Sequence, residues 1–413
     1  MASSIMTEGF RLKFRKVPPL SVDPHPSVII SEAASCRLVS FIPNWLDSGV
    51  VREITSPQPL FFSRLFTRAK KNGKLRPVID LSDLNVLLVV PTFKMETVAV
   101  ISRSISGILW ACSIDIEDAY FHVPIAWEFH KFLAFRLRGR TYVFQFLPFG
   151  LSSAPWAFSR VIKPIKRHLH TLLIQIFSFL DDFIIFALSP EELVSVTEVV
   201  LDLLRHLGFR INWEKSNLHP SQLIEFLGVT WDLRKGELSV PPDKQLMVRT
   251  RCLEMCGKSV TTRRELESLT GLMNFVANYL VHGRLHLLPV LMWMNLRTRP
   301  CTRDVPVPLD GRMRELLGIW TSLDFLRCPV PMHAPRPSLT LMTDASLEGW
   351  CGILLPRRAM GQWPANVSGF SMNWKELMAI RLALVEFQSL LRGRTVRLLS
   401  DNTTAPASVT KGQ

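Results

Sequence analysis

The chain has 413 residues, of which 47% are hydrophobic and 20% are charged, and Lys+Arg exceed Asp+Glu by 49 to 35. This length allows about two to four domains, and the hydrophobic share excludes a disordered polymer. The formal charge of +14 is spread along the chain, which favours a long polyanionic partner such as nucleic acid. A basic surface that only keeps the protein in solution is the alternative.

The cysteines and the hydropathy exclude further classes. The seven cysteines include no C-x-x-C pair, which argues against a disulfide scaffold or a zinc fold and favours a reducing compartment. The N-terminus lacks the apolar core of a secretory signal. The longest uncharged stretch, 141–159, contains Pro148, Gly150 and Pro155, which would break a spanning helix. We expect an intracellular protein, nuclear or cytoplasmic, that is not secreted and has no membrane partner.

The first two segments differ in periodicity. Residues 1–44 are rich in Pro and Ser, which indicates a loosely ordered leader, packed in part on the neighbouring segment. From 45 to 240, β-type runs alternate with helical stretches and predict an α+β domain with a mostly antiparallel sheet. Within it, a helix is predicted over 190–207, with Ser189 as its N-cap and Gly208 closing it.

The rest of the chain forms three further segments. Residues 241–300 carry nine Lys+Arg against four acids with apolar residues in helical spacing, which predicts a basic helical unit. Residues 301–337 are Pro-rich and read as a connector with a short helix near 312–326. From 338 to 413, two strands, a helix at about 374–391 and a third strand are expected. This last domain looks cut short.

Acidic residues between apolar strands are the strongest chemical signal. Asp181 and Asp182 are adjacent between buried β-type runs, where they would repel each other without a neutralising cation. Asp115 ends another apolar strand, and if the two strands are neighbours the three carboxylates converge as hard oxygen ligands for Mg²⁺. Taken alone, each acid also fits an ordinary turn or strand end.

Six segments occur in an order that resembles a reverse transcriptase of the retroelement type over roughly residues 45–300. The resemblance implies an α+β right-hand polymerase, with fingers and palm over 45–240 and a thumb over 241–300. The segments are KKNGKLRPVIDLSDLN, DIEDAYFHVPI, FLPFGLSSAPWAF, FLDDFII, LGFRINWEKSNL and IEFLGVTWD.

The resemblance also implies the metal-binding residues of the polymerase. Asp115 and Asp181 would be ligands of two Mg²⁺ ions, Asp182 would be the third palm carboxylate, and the Ile116 carbonyl would complete one coordination sphere. Lys215 would be a general acid toward pyrophosphate.

Further residues are implied to contact the nucleotide. Tyr120 would be the ring that leaves no room for a 2′-hydroxyl, with a core tyrosine as the alternative. Arg76, with Lys74 or Lys71 nearby, would hold the triphosphate, with solvated surface charges as the alternative. Phe149 and Gly150 begin the loop under template and nucleotide, where glycine permits close backbone approach.

The C-terminal segment resembles ribonuclease H. Asp344, Glu376 and Asp401 occur in that family's order and would bind a second pair of Mg²⁺ ions in a partial ribonuclease H-like α/β domain. The stretch after Asp401 has no further acid, so we expect hybrid cleavage to be impaired by truncation. TDASLEGWCG and SDNTT are most similar to DIRS-type retrotransposons, with gypsy-like elements the runner-up.

The implied activity is that of an RNA-directed DNA polymerase of a retrotransposon. The primer 3′-hydroxyl would attack the α-phosphate of a deoxynucleoside triphosphate. The expected partners are an RNA template, a DNA primer, an RNA–DNA hybrid and deoxynucleoside triphosphates. A catalytically inactive nucleic-acid-binding remnant is the alternative, and a fragment that is never made as a stable protein is a third.

Overall fold

The computed structural model describes residues 2–28, 30, 32–69, 73, 75–298, 303–333, 335–367, 369–402, 405 and 409. The chain divides into two compact units, residues 1–227 and 228–413. Across these described ranges, no helix combines the length and the apolar character needed to cross a bilayer.

The first unit mixes helices and strands. Its helices are α1 (Ala2–Glu8), α2 (Glu32–Val39), α3 (Ile42–Asp47), α4 (Ser82–Leu87), α5 (Val98–Ser104), α6 (Ala154–Thr171) and α7 (Pro190–His206), with short 3-10 helices at Pro26–Val28, Ala119–His122 and Trp127–Phe132. Its strands are β1 (Val51–Ile54), β2 (Arg64–Ala69), β3 (Leu75–Asp80), β4 (Trp110–Asp115), β5 (Ala134–Leu137), β6 (Arg140–Phe144), β7 (Gln175–Phe179), β8 (Asp182–Ala187), β9 (Asn217–Ser221) and β10 (Leu223–Phe226).

A four-stranded sheet forms the centre of this unit. Its order is β7-β8-β4-β9, and every pair is antiparallel, as the sequence predicts. Helix α6 packs against β7, and α7 packs against β4, β8 and β9. Ile114, Ile176 and Ile185 are buried in the core between these layers. The strand ends that carry acidic residues are therefore supported by an apolar, closely packed core.

The first unit also contains two smaller sheets. Strands β2 and β3 form an antiparallel ribbon that pairs Arg68 with Arg76, and β1-β6-β5 form a three-stranded sheet. The predicted leader packs in part onto this unit, because Ile5, Phe10 and Leu12 are buried in its core.

Local sequence explains the two long helices. In α6, Pro155 lies in the first turn, where no backbone donor is needed, and apolar residues recur every three or four positions. In α7, the Ser189 hydroxyl accepts the Glu192 N–H at 3.1 Å, and Gly208 follows the helix with φ +85°. The predicted helix over 190–207 is confirmed to within one residue.

The second unit also mixes helices and strands. Its helices are α8 (Pro242–Cys256), α9 (Arg263–Ala277), α10 (Gly283–Thr298), α11 (Gly311–Ile319), α12 (Leu323–Arg327), α13 (Met372–Glu386) and α14 (Gln388–Leu391), with a 3-10 helix at Ala365–Val367. Its strands are β11 (Val229–Asp232), β12 (Glu237–Ser239), β13 (Val260–Thr262), β14 (Pro306–Pro308), β15 (Val330–Pro331), β16 (Leu339–Ala345), β17 (Gly349–Leu354), β18 (Arg357–Gln362) and β19 (Val396–Leu399).

Helices α8 to α11 surround a common core that includes Leu266, Met273 and Trp320. The short helix predicted near 312–326 is two helices, α11 and α12. They are separate because the Ser322 hydroxyl accepts the Phe325 N–H and so starts a new helix.

A four-stranded sheet forms the C-terminal part of the second unit. Its order is β18-β17-β16-β19, antiparallel except where β16 runs parallel to β19. Helix α13 packs against β16 and β17. The helix predicted at about 374–391 is α13 followed by α14, and the break falls at Phe387, which is buried against the sheet.

Candidate active site

Three acidic residues meet at one end of the central sheet. Asp115 is the last residue of β4 and lies directly opposite Asp182, the first residue of β8. Asp181 occupies the turn before β8, and its carbonyl accepts the Ile116 N–H at 2.9 Å. The turn is sharp because Leu180 adopts the left-handed conformation, with φ +56°. Residues from two distant parts of the sequence therefore share one site.

Burial and neighbouring negative charge raise the pKa of two of these carboxyl groups, those of Asp181 and Asp182. Burial, followed by the charges of Asp181 and Asp115, raises the pKa of Asp182 to about 7. Burial, with a contribution from the Asp115 charge, also raises the pKa of Asp181. The Lys215 ammonium lies 3.4 Å from both carboxylate oxygens of Asp115. Such a crowded acidic site favours binding a proton or a cation.

The loop before β9 fixes Asp115 and brings Lys215 beside it. The Asp115 N–H donates to the Ser216 hydroxyl at 3.0 Å, and the Asp115 carbonyl accepts the Asn212 N–H at 2.9 Å. The Ser216 hydroxyl donates in turn to the Asn212 carbonyl at 2.7 Å. Sequence reasoning singled out Lys215 but missed Asn212 and Ser216, whose contacts to Asp115 span about a hundred residues.

The side chains predicted to contact the nucleotide pack against one another through aromatic rings. The Tyr120 and Phe149 ring centroids are 5.1 Å apart, and the Arg76 guanidinium lies 3.7 Å above the Phe149 ring. Burial, followed by the Asp181 charge, raises the pKa of Tyr120 to about 12, so its hydroxyl stays protonated at neutral pH. The structure brings these three side chains together, whereas Lys71 and Lys74 lie outside the described residues.

The Phe149–Gly150 loop is held by a residue that sequence reasoning missed. Gly150 has φ +106°, and a Cβ there would lie 2.7 Å from the Ile79 carbonyl oxygen, so only glycine fits. The Asn85 amide donates to the Gly150 carbonyl and accepts the Ser152 N–H, both at 2.8 Å. Asn85 ends the segment KKNGKLRPVIDLSDLN, but its residue type alone gives no signal of this contact.

A second acidic cluster lies in the second unit. Ligand atoms of Asp344, Glu376 and Asp401 all lie within 4.8 Å of one another, and in the described part of the chain this is the one such trio of potential metal ligands. Glu376 is buried, and burial followed by the charges of the two aspartates raises its pKa. The Ser400 hydroxyl donates to Glu376 at 3.4 Å. The ligand atoms of Asp115, Asp181 and Asp182 do not all lie within that distance of one another.

Residues 68–231 match the family model described as reverse transcriptase (RNA-dependent DNA polymerase). The match contains Asp115, Asp181, Asp182 and Lys215.

Over residues 68–231, the chain is similar to reverse transcriptases.

The curated proteins that this chain resembles include polyproteins. The chain is 23% identical over 383 residues to a putative enzymatic polyprotein of Cassava vein mosaic virus, covering 88% of this chain and 56% of the relative. It is 24% identical over 374 residues to the retrovirus-related Pol polyprotein from transposon gypsy of Drosophila melanogaster, covering 86% and 35%. The chain thus spans about half or less of the length of these relatives.

Solved structures agree on the fold of a polymerase followed by a further domain. The foamy viral protease-reverse transcriptase dRH in complex with double-stranded DNA superposes with a TM-score of 0.66 at 18% identity, covering 97% of this chain and 69% of that one. The foamy viral protein in complex with an RNA/DNA hybrid gives 0.63 at 18% identity, covering 95% and 52%. The expected fold class is confirmed.

Proposed function

We propose that the chain is an RNA-directed DNA polymerase of a retrotransposon. The observation that carries the proposal is the meeting of Asp115 with Asp181 and Asp182 at neighbouring strand ends inside the reverse transcriptase domain. The motifs TDASLEGWCG and SDNTT favour a DIRS-type element over a gypsy-like one. Fingers and palm are assigned to 45–240, the thumb to 241–300, a connector to 301–337 and a ribonuclease H-like domain to 338–413.

The residues of the acidic site suit Mg²⁺ by their chemistry, and we infer that they bind two such ions. The donor set consists of hard carboxylate oxygens. Burial, followed by the charges of Asp181 and Asp115, raises the pKa of Asp182 to about 7, and a bound cation would offset this clustered negative charge. Asp115 and Asp181 would be the main ligands, with the Ile116 carbonyl completing a coordination sphere. Bound cations would lower the pKa of the primer hydroxyl and offset charge on the leaving pyrophosphate.

The protein's own side chains would orient the substrates. Arg76 would contact the β- and γ-phosphates, with Lys74 as a second cation, and Lys215 would donate a proton to the pyrophosphate. Tyr120 would exclude the 2′-hydroxyl of a ribonucleotide. The Phe149–Gly150 loop would support the template base that pairs with the incoming deoxynucleoside triphosphate.

Primer extension tests the polymerase. On an RNA template with a DNA primer and Mg²⁺, we expect the protein to extend the primer and Asp181→Asn to lose about a hundredfold or more in rate. Asp202→Asn, on an exposed face of α7, is the matched control and should retain activity. Tight binding of template-primer without extension by the unaltered protein would favour the inactive remnant instead.

The second acidic trio is a candidate ribonuclease H site, and its activity is expected to be impaired, as the sequence indicates. Asp344, Glu376 and Asp401 converge within 4.8 Å and could hold two Mg²⁺ ions that assist hydrolysis of the RNA strand of a hybrid. The test is cleavage of a labelled hybrid, for which we expect weak or no activity from the unaltered protein. Robust cleavage that Asp344→Asn abolishes, while primer extension persists, would refute the impairment. Equal cleavage by both proteins would point to a contaminating nuclease.

A further inference from the structure

The strand that leads into the turn at Leu180 and Asp181, the catalytic turn of the proposed polymerase, lies at the edge of its sheet. Strand β7 is the outermost strand, so among the described strands its outward backbone groups have no ladder partner on that side. Two side chains occupy this edge. The Ser178 N–H donates to Oε2 of Glu96 at 2.7 Å, and Nε2 of His170 lies 3.0 Å from the Ile176 carbonyl oxygen.

Glu96 also binds α6. The Lys166 ammonium donates to Oε1 of Glu96, and the two side chains are only 27% and 14% exposed for Glu96 and Lys166. Because water is partly excluded, these charge-assisted hydrogen bonds are stronger than an exposed ion pair. One carboxylate therefore joins the segment before α5 to both α6 and β7.

The contact lies close to the catalytic turn. Ser178 is three residues before Asp181, and the left-handed Leu180 lies between them. After Leu180, the Asp181 carbonyl accepts the Ile116 N–H at 2.9 Å. The turn is thus anchored by Glu96 on one side and by Ile116 on the other.

We propose that Glu96 is a positioning residue of the polymerase site, which holds β7 through Ser178 so that the turn presents Asp181 toward Asp115. This role rests on the proposed polymerase function. Without the carboxylate, the Ser178 N–H loses its acceptor and Lys166 loses its counter-charge. The β7–β8 hairpin then opens more often. We expect this opening to lower the turnover rate and to leave nucleotide binding nearly unchanged.

Backbone amide exchange tests the anchor without relying on catalysis. Glu96→Ala should speed exchange of the Ser178 amide about tenfold, whereas Glu96→Gln, which keeps an acceptor oxygen, should give a smaller increase. Lys166→Met should also speed it, and Lys163→Met, which removes the same charge from α6 in the same cleft, should not. Exchange at Ser178 that is unchanged in Glu96→Ala would overturn the proposal.

Kinetics test the positioning role. Glu96→Ala should lower kcat about tenfold, change KM for the deoxynucleotide less than about threefold, and raise the Mg²⁺ concentration for half-maximal rate. If Asp181→Asn is inactive while Glu96→Ala keeps the unaltered kcat, the positioning role fails and the polymerase function stands. If the unaltered protein does not extend primers, the polymerase function fails, and the exchange data alone decide whether Glu96 anchors β7.

Discussion

Tyr120 is positioned by rings on two sides. Its ring packs 5.1 Å from Phe149 and meets Phe158 edge-on at 6.0 Å. Phe158 is buried on α6, so the Tyr120 ring packs against a side chain that is itself enclosed in the core. A ring held in this way acts as a steric wall rather than a flexible contact.

The first prediction concerns sugar selectivity at Tyr120. Tyr120→Ala removes the wall and should raise the incorporation of ribonucleotides relative to deoxynucleotides about tenfold. Competition between the two in primer extension measures the ratio. Tyr120→Phe keeps the ring and is the control, and unchanged selectivity in the alanine variant would contradict this role.

The second prediction concerns the pH dependence of stability at His122. Nε2 of His122 accepts the Arg210 N–H at 3.0 Å, and Nδ1 lies 3.2 Å from the Ala119 carbonyl oxygen, so the native state needs a neutral ring. Burial lowers the pKa of His122 below its usual 6.5. The unfolded state then binds more protons, so this stabilisation is complete above pH 6.5 and is lost as the pH falls below it.

Comparing the unaltered protein with a His122 variant separates the contribution of His122 to the free energy of unfolding from that of the other titratable groups. Asp182, with its pKa raised to about 7, acts in the opposite direction, so the unaltered protein alone gives a mixed curve. The free energy of unfolding of His122→Gln should fall less between about pH 7 and about pH 5 than that of the unaltered protein. Identical pH dependence of the two in denaturant titrations would show that His122 does not contribute.

At the scale of elements, α7 depends on its first turn. The Ser189 hydroxyl caps the Glu192 N–H, and Oε2 of Glu192 accepts the Leu188 N–H at 2.9 Å. Helix α7 packs against three strands of the central sheet. A change in its first turn therefore affects the packing of the helix on all three strands.

The third prediction is that Ser189→Ala lowers the free energy of unfolding by about 1 kcal/mol. The matched control is Ser195→Ala, the same substitution at an exposed position inside α7, which should be neutral or slightly stabilising. Urea denaturation measures both. Equal stability of the two variants would mean that the cap contributes nothing.

At the scale of the whole molecule, the charge of +14 favours contact with phosphates along a nucleic acid. The fourth prediction is that affinity for a template-primer duplex falls steeply with salt. If about six phosphates are contacted, the slope of log K against log salt is about −5. Fluorescence anisotropy on two unrelated duplex sequences should give the same slope for both, and a slope near zero would rule out such contacts.

Local features of this protein could be predicted from sequence because they span only a few residues. The cap at Ser189, the closing Gly208 and the acids at the ends of apolar strands follow from neighbours in the chain. The same holds for the fold class, since ordered motifs and periodicity fix which segments become strands and helices.

Only the tertiary structure decided which distant groups meet. Glu96 reaches Ser178 across 82 residues, and Asn85 reaches Gly150 across 65. Neither contact has a local signal, because the path of the chain, rather than residue type or spacing, brings the partners together. The sequence determined which side chains could bind a cation, and the packing of the sheet and helices decided how those side chains are held.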